Sequence, residues 1–374
     1  MSNFAHAMLQ EIYEQPDALE RTLDLYLAGE ELKAETMELL SGWCEPSGEV
    51  LIAASGSSRH SGLAAEVTLE DLCGLSVDVE YASEYSCRGE QFGQRHPSVL
   101  VLSQSGETSD TLAALREAVA RRLKTLAITN AAGSTMASEA AISMPLAAGV
   151  EKAIPATKSF TCQLAVLYLL ALCEAARSRR MGHAELLRHI AELRSLSAML
   201  RGQLDEWRAQ TAELARKYNT AATFLYLGRG VHYAIAREGA LKLKEASYVH
   251  AEGYPAGELK HGPNALVSER VPLVMLATFD PKLPASVVRY EKTVQLLEEM
   301  RRQGAHVIAV ANRGDQRVAA LAQDCLFVTP VSEYLLPVAE VIPLQFFSYF
   351  MALEHGVDVD RPRNLSKSVI EAAQ

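Results

Sequence analysis

The sequence predicts an α/β protein made of two doubly wound parallel sheets flanked by helices. Apolar runs of strand length lead into small-residue turns and then into segments with helical spacing, and this order recurs in both halves of the 374-residue chain. The halves also echo each other. Gly56 in AASGSS corresponds to Gly228 in YLGRG (228 − 56 = 172), and Asn130 in AITN to Asn312 in AVAN (312 − 130 = 182). One connection longer by ten residues (182 − 172) reconciles the offsets, so a duplicated domain fits better than one large sheet.

Taken in order, residues 1–45 read as a helical opening segment. Residues 46–175 form the first α/β domain, with VLIAASGSSRHSGLAAEVTLEDL, SVLVLSQSGETSDTLAALREA and KTLAITNAAGS as its clearest strand–turn–helix units. LAVLYLLALCEAA, at 164–176, is shorter than the roughly 20 apolar residues needed to cross a bilayer and is expected as a buried helix. Residues 176–218 are polar, helix-periodic and free of proline, and are expected to form a helical connector. Residues 219–345 form the second α/β domain, through FLYLGRGVHYAIAREGALKLKEA, VPLVMLATFD and HVIAVANRGD. Residues 346–374 read as a helix followed by a tail, DRPRNLSKSV, in which Pro362 stops a regular helix.

Composition narrows the function classes. With 49% hydrophobic and 22% charged residues the chain can build a large core, and 46 acidic against 36 basic residues leave no broad basic surface for nucleic acid. The six cysteines, at 44, 73, 87, 162, 173 and 325, lack the C-x-x-C spacing of a zinc or redox motif. The N-terminus carries acids early and has no apolar core of a secretory signal, so a cytoplasmic protein with no membrane partner is expected.

Ligands of doubly wound sheets sit beyond the carboxyl ends of strands, where the next helix offers free N–H groups. SQSGET, at 103–108, occupies such a junction: Gly106 lets the backbone approach, and Ser103, Ser105 and Thr108 add hydroxyls, a set suited to a phosphate. A serine-rich turn with a helix N-cap gives the same pattern for purely structural reasons. ASGSS, at 54–58, is a second small-residue junction in the same domain. The chain has no G-x-x-x-x-G-K loop, which argues against nucleoside triphosphates. In the second domain Glu238, Lys242 and Glu245 fall at i, i+4 and i+7 on one helix face, with Lys244 elsewhere. Such a stripe is either a solvated ion-pair run or, beside the LGRG turn, the wall of a crevice. GELKHGP adds Glu258, Lys260 and His261 in a glycine- and proline-bounded loop, where a histidine can shuttle protons.

SQSGET, ATKSF at 156–160, ALKLKEASYVHAE, GELKHGP and PRNLSKSV together resemble the sugar isomerase (SIS) domain pair that forms the isomerase half of glutamine:fructose-6-phosphate amidotransferase. The likeness runs over roughly residues 5 to 370, with QEIYEQPDALERTL resembling the segment that leads into that half. The resemblance implies a five-stranded parallel sheet in each domain and a phosphorylated hexose or aminohexose as ligand. It implies that Ser58, Ser103, Gln104, Ser105 and Thr108 hold the phosphate, with Gly56, Ser57 and Ala156 as further substrate contacts. Glu245 resembles the base that moves a proton between C1 and C2, with Lys242 beside it. His261 resembles the ring-opening residue, supplied across a homodimer interface. Lys367 resembles a tail lysine that meets the open-chain sugar and can form a Schiff base with a ketose.

The departures matter too. Ser55 stands where the family has cysteine, and Ala156 where it has serine, which removes one sugar or phosphate contact. Met1-Ser2 leads directly into the linker-like helix, so no glutaminase activity is expected. The resemblance then implies a glucosamine-6-phosphate deaminase: His261 opens the ring, Glu245 shifts a proton from C2 to C1, and the imine at C2 is hydrolysed to fructose 6-phosphate and ammonia. No metal or organic cofactor is expected. A plain aldose–ketose phosphate isomerase, a galactosamine-6-phosphate deaminase and a sugar-phosphate deglycase remain open. A sugar-phosphate sensor is the alternative outside enzymes.

Overall fold

The computed structural model describes residues 4–85, 87–88 and 96–367. They fall into two compact units. The first comprises Gln15–Glu151, Lys158–Ser197 and the tail from Ser366; the second comprises the chain before Gln15, Lys152–Thr157 and Ala198–Leu365.

Helices α1 (Ala7–Tyr13), α2 (Gln15–Tyr26) and α3 (Ala34–Leu39) open the chain, the last two separated by a short hairpin of β1 (Leu27–Ala28) and β2 (Glu31–Leu32). Then follow β3 (Glu49–Ala54), α4 (Gly56–Cys73), β4 (Ser76–Tyr81), α5 (Ala82–Tyr85), β5 (Ser98–Ser103), α6 (Ser109–Ala120), β6 (Thr125–Thr129), α7 (Thr135–Glu139) and β7 (Ile142–Pro145). The five strands β3–β7 make one parallel sheet in the order β4-β3-β5-β6-β7. Val99 to Leu102 of β5 are buried on both faces, which is why this run shows no alternation of apolar and polar residues. α8 (Lys158–Arg177) is buried from Lys158 to Ala175 and packs on α4 and α2, and α9 (His183–Arg201) follows it.

The second unit repeats the plan. After α10 (Leu204–Tyr218) come β8 (Thr223–Gly228), α11 (Val231–Ser247), β9 (His250–Pro255), two 3-10 turns (Ala256–His261 and Pro263–Leu266), β10 (Leu273–Ala277), α12 (Pro284–Arg302), β11 (Val307–Asn312), α13 (Gln316–Leu321), β12 (Asp324–Val328) and α14 (Leu336–Glu354). The parallel sheet runs β9-β8-β10-β11-β12, the same order as β4-β3-β5-β6-β7. The duplication is therefore real, although its glycines pair differently from the sequence reading. Gly56 (φ 53°) and Gly230 (φ 55°) hold equivalent left-handed positions at the strand-to-helix turn, two residues beyond Gly228. Asn130 and Asn312 both tie strand ends together, Asn130 through the backbone of Ala148 and Gly149 and Asn312 through both backbone groups of Phe279.

Close approach of α11 to its sheet depends on Gly239. A Cβ there would lie 2.7 Å from Leu344 and 2.8 Å from the Tyr226 ring, so even alanine would force these two packed side chains to shift. Two helices, Lys158–Arg177 and Leu336–Glu354, are long and apolar enough to cross a membrane by length and composition. Their apolar windows are 94% and 89% buried, the environment of core helices.

Candidate functional site

In the first unit, the carboxyl ends of β3 and β5 flank the point where the strand order reverses, the usual ligand position in this fold. Ser103 ends β5, and its hydroxyl lies 3.0 Å from that of Thr108 and 3.5 Å from that of Ser105. The Gly106 N–H donates to Ser103 Oγ at 3.1 Å, and the Glu107 N–H to Ser105 Oγ at 3.2 Å. Thr108 is the N-cap residue of α6, yet its side chain makes no capping bond and joins the hydroxyl cluster instead. That separates the turn from an ordinary serine–threonine cap, whose side-chain oxygen would accept from the second or third helical N–H.

The turn is rigid. Gln104 O accepts from the Asn130 N–H, Gly106 O from the Met136 N–H, and Glu107 Oε1 from the Thr135 N–H at 2.7 Å. Gly106 has φ 66°, and a Cβ would fall 2.1 Å from Ser134 Oγ and 2.8 Å from Thr129 Oγ1, so backbone conformation and space both demand glycine. Ser58, in the first turn of α4, is bonded differently: its hydroxyl accepts from Gln163 Nε2 at 3.0 Å, while Ser61 donates to Gln163 Oε1. Gly56 is exposed and Ser57 half-buried in the same turn. The structure thus gathers Ser103, Ser105 and Thr108 into one cluster and anchors Ser58 separately on α8.

Lys367, the tail lysine, lies in this unit as well. Its Nζ donates to Glu151 Oε2 at 3.0 Å, and Glu151, whose side chain is fully buried, also accepts from the Ser159 N–H and hydroxyl at the start of α8. The motif reading passed over Glu151. The sequence hint was a lone carboxylate in GVEKAIPATKSF, immediately before ATKSF.

The second unit holds Glu238, Lys242, Glu245, His261 and the half-buried Ala156. The charged stripe on α11 is no solvated run. Lys242 is 1% and Glu238 0% exposed, while Glu245 keeps 22% of its side chain accessible. The Lys242 ammonium hydrogen bonds to Glu245 Oε2 and lies 3.6 Å from Glu238 Oε1. Lys242 lies between two carboxylates, and the accessible one, Glu245, is fixed in orientation by its neighbour. His261 is exposed at the end of the Ala256–His261 turn, and among the described residues no hydrogen bond or ion pair joins it to this trio.

A second buried cluster went unread in the sequence. His232, at the start of α11, bonds through Nδ1 to Glu340 at 2.6 Å and has Nε2 3.5 Å from Glu333. Glu333 accepts from the Ser286 hydroxyl and from Arg289 Nε at 2.9 Å, and Thr278, just beyond β10, donates to Glu340. Burial alone would lower the His232 pKa, but Glu340 and Glu333 outweigh it and hold it at about 10. Burial likewise works against ionised Glu333, yet His232, Ser286 and Arg289 bring it down to about 2. The cluster lies beyond the ends of β8 and β10, the counterpart of the hydroxyl turn in the first unit. There the protein supplies its own anions.

Fold and site together define a duplicated doubly wound α/β protein with a hydroxyl-lined turn at its first switch point. The chain belongs to the SIS domain family, whose model matches residues 45–173 and 217–355, as the motifs implied. It is 42% identical over 366 residues to the isomerizing glutamine–fructose-6-phosphate aminotransferase of Thermus thermophilus, and 39% over 371 residues to that of Chlorobaculum tepidum. These matches cover 98% of this chain but only 59% and 58% of the relatives, so the chain spans somewhat over half their length. Among solved structures it is similar to the C-terminal domain of glucosamine-fructose-6-phosphate aminotransferase from Francisella tularensis, with TM-score 0.86, 32% identity and coverage of 96% of this chain and 99% of that one. The tagatose-6-phosphate ketose/aldose isomerase of Escherichia coli shares the fold, with TM-score 0.78 at 20% identity and coverage of 99% and 97%.

Proposed function

We propose that this chain is a hexose-phosphate enzyme of the aldose–ketose isomerase type, with an aminosugar 6-phosphate as substrate. The observation that best supports this reading is Lys242, buried between Glu238 and Glu245 on a face that leaves only Glu245 accessible. A carboxylate so oriented can carry a proton between adjacent carbons of an open-chain sugar. Ser103, Ser105 and Thr108, with Gln104 and Ser58, hold the phosphate, and Gly56 and Ser57 add further substrate contacts; Lys367 meets the open-chain carbonyl. His261 assists ring opening from the neighbouring protomer of a homodimer.

Within that class we favour glucosamine 6-phosphate as substrate, converted to fructose 6-phosphate and ammonia by C2-to-C1 proton transfer and imine hydrolysis. The curated relatives, named aminotransferases, support the aminosugar and equally support a second reading, in which the chain joins fructose 6-phosphate and free ammonia in the opposite sense. Coupled assays decide between them. Ammonia released from glucosamine 6-phosphate favours the first. No ammonia, with interconversion of unaminated ketose and aldose phosphates, reduces the function to plain isomerisation; no turnover of any hexose phosphate refutes the proposal.

A further inference from the structure

We infer that Glu151 positions the C-terminal tail and takes up the proton that Lys367 must lose before its amine can attack a ketose carbonyl. The inference deepens the proposed function and rests on its reading of Lys367. Three observations support it. The Glu151 side chain is fully buried, where an ionised carboxylate persists only if other groups satisfy it. Its oxygens are fixed from one side by the Ser159 N–H at 3.1 Å and hydroxyl at 2.7 Å, at the amino end of α8. The same Oε2 accepts from Lys367 Nζ at 3.0 Å, although the residues are 216 positions apart and Lys367 stays 26% exposed.

A protonated lysine is no nucleophile. In the docked arrangement the ammonium gives its proton to Glu151 Oε2, the neutral amine adds to C2 of an open-chain ketose phosphate, and one of its N–H protons passes to the former carbonyl oxygen to give the carbinolamine. The proton on Glu151 then returns to the carbinolamine hydroxyl, water departs, and an iminium is left. Atoms and charge balance with no further reagent. Ser159 keeps the carboxylate aimed through the cycle, so Glu151 both holds Lys367 and carries its proton. The exposed edge of Lys367 faces solvent while its charged end is tied to the buried oxygen, which links tail docking to readiness for the covalent step.

The test uses the full chain, fructose 6-phosphate and sodium borohydride, with mass spectrometry of the Lys367 peptide. Glu151→Gln should slow formation of the reduced adduct at least tenfold and lower kcat much more than it raises KM. Glu151→Asp, which keeps the charge, should recover part of both. Tryptic cleavage after Lys367, read on the same samples, should rise severalfold in Glu151→Gln. An adduct formed at the wild-type rate with unchanged cleavage in Glu151→Gln overturns the inference. Should wild-type protein form no Lys367 adduct, the covalent role of Lys367 in the proposed function fails and the proton transfer fails with it. Cleavage in the variant then decides the docking role by itself.

Discussion

Replacing Glu333 by Gln removes the negative charge that His232 and Arg289 share in the second unit. Glu333 is held at about 2 instead of 4.5, and its side chain is fully buried, so no allowance for solvent screening is needed. At about 1.4 kcal/mol per tenfold change in the proton equilibrium, that difference corresponds to about 3 kcal/mol in favour of the folded state. Breaking a buried ion pair from one side costs a similar amount, about 3–5 kcal/mol. For a domain of 150–250 residues the calorimetric transition should fall by roughly 6–12 °C. The signs across pH follow from both partners. The lowered Glu333 contributes above about pH 4.5 and loses that contribution as pH falls toward 2; the raised His232 contributes below 6.5 and loses it as pH rises through about 10. The gap between wild type and Glu333→Gln should therefore be widest near pH 5–6.5 and should narrow toward pH 10 and pH 2. Scanning calorimetry at pH 6 and pH 10 measures it. A gap below about 1 kcal/mol at pH 6, or one that does not narrow by pH 10, refutes this account of the cluster.

Other outcomes concern the site. Glu245→Gln should leave sugar-phosphate binding within about threefold of wild type and lower kcat by about 10² or more, as steady-state kinetics with calorimetric binding would report. Gly106→Ala meets both a positive φ and Ser134 Oγ, so inorganic phosphate affinity should drop at least tenfold and the melting temperature should fall, with Gly133→Ala, open around its Cα, as the contrasting variant. Mixing inactive Glu245→Gln and His261→Asn chains should restore part of the activity if the histidine crosses between protomers; a mixture as inactive as its components argues for a site built within one chain.

Much of the fold was legible because its strands are covered on both faces and so stand out as unbroken apolar runs such as SVLVL. The Glu238–Lys242–Glu245 spacing was also plain. Periodicity reports which residues share a face and not whether that face meets water, so burial of Lys242 emerged only from the folded chain. Glu151 and the His232 cluster were opaque for a different reason. The tail partner of Glu151 lies 216 residues away, and those of His232 lie 101 (333 − 232) and 108 (340 − 232) away, with no local pattern announcing them. The two-residue slip in pairing Gly56 had a similar origin: LGRG offers two glycines, and only backbone conformation tells which one turns the chain.

Two sheets with identical strand order offer two equivalent mouths, and in the second Glu333 and Glu340 sit where a guest would otherwise lie. One half of the repeat has thereby filled its own mouth with charge. An engineer seeking a binding chamber in this unit would begin by shortening those two acids and offering formate or acetate in their stead, since Arg289 and the His232 imidazolium already form half of a receptor.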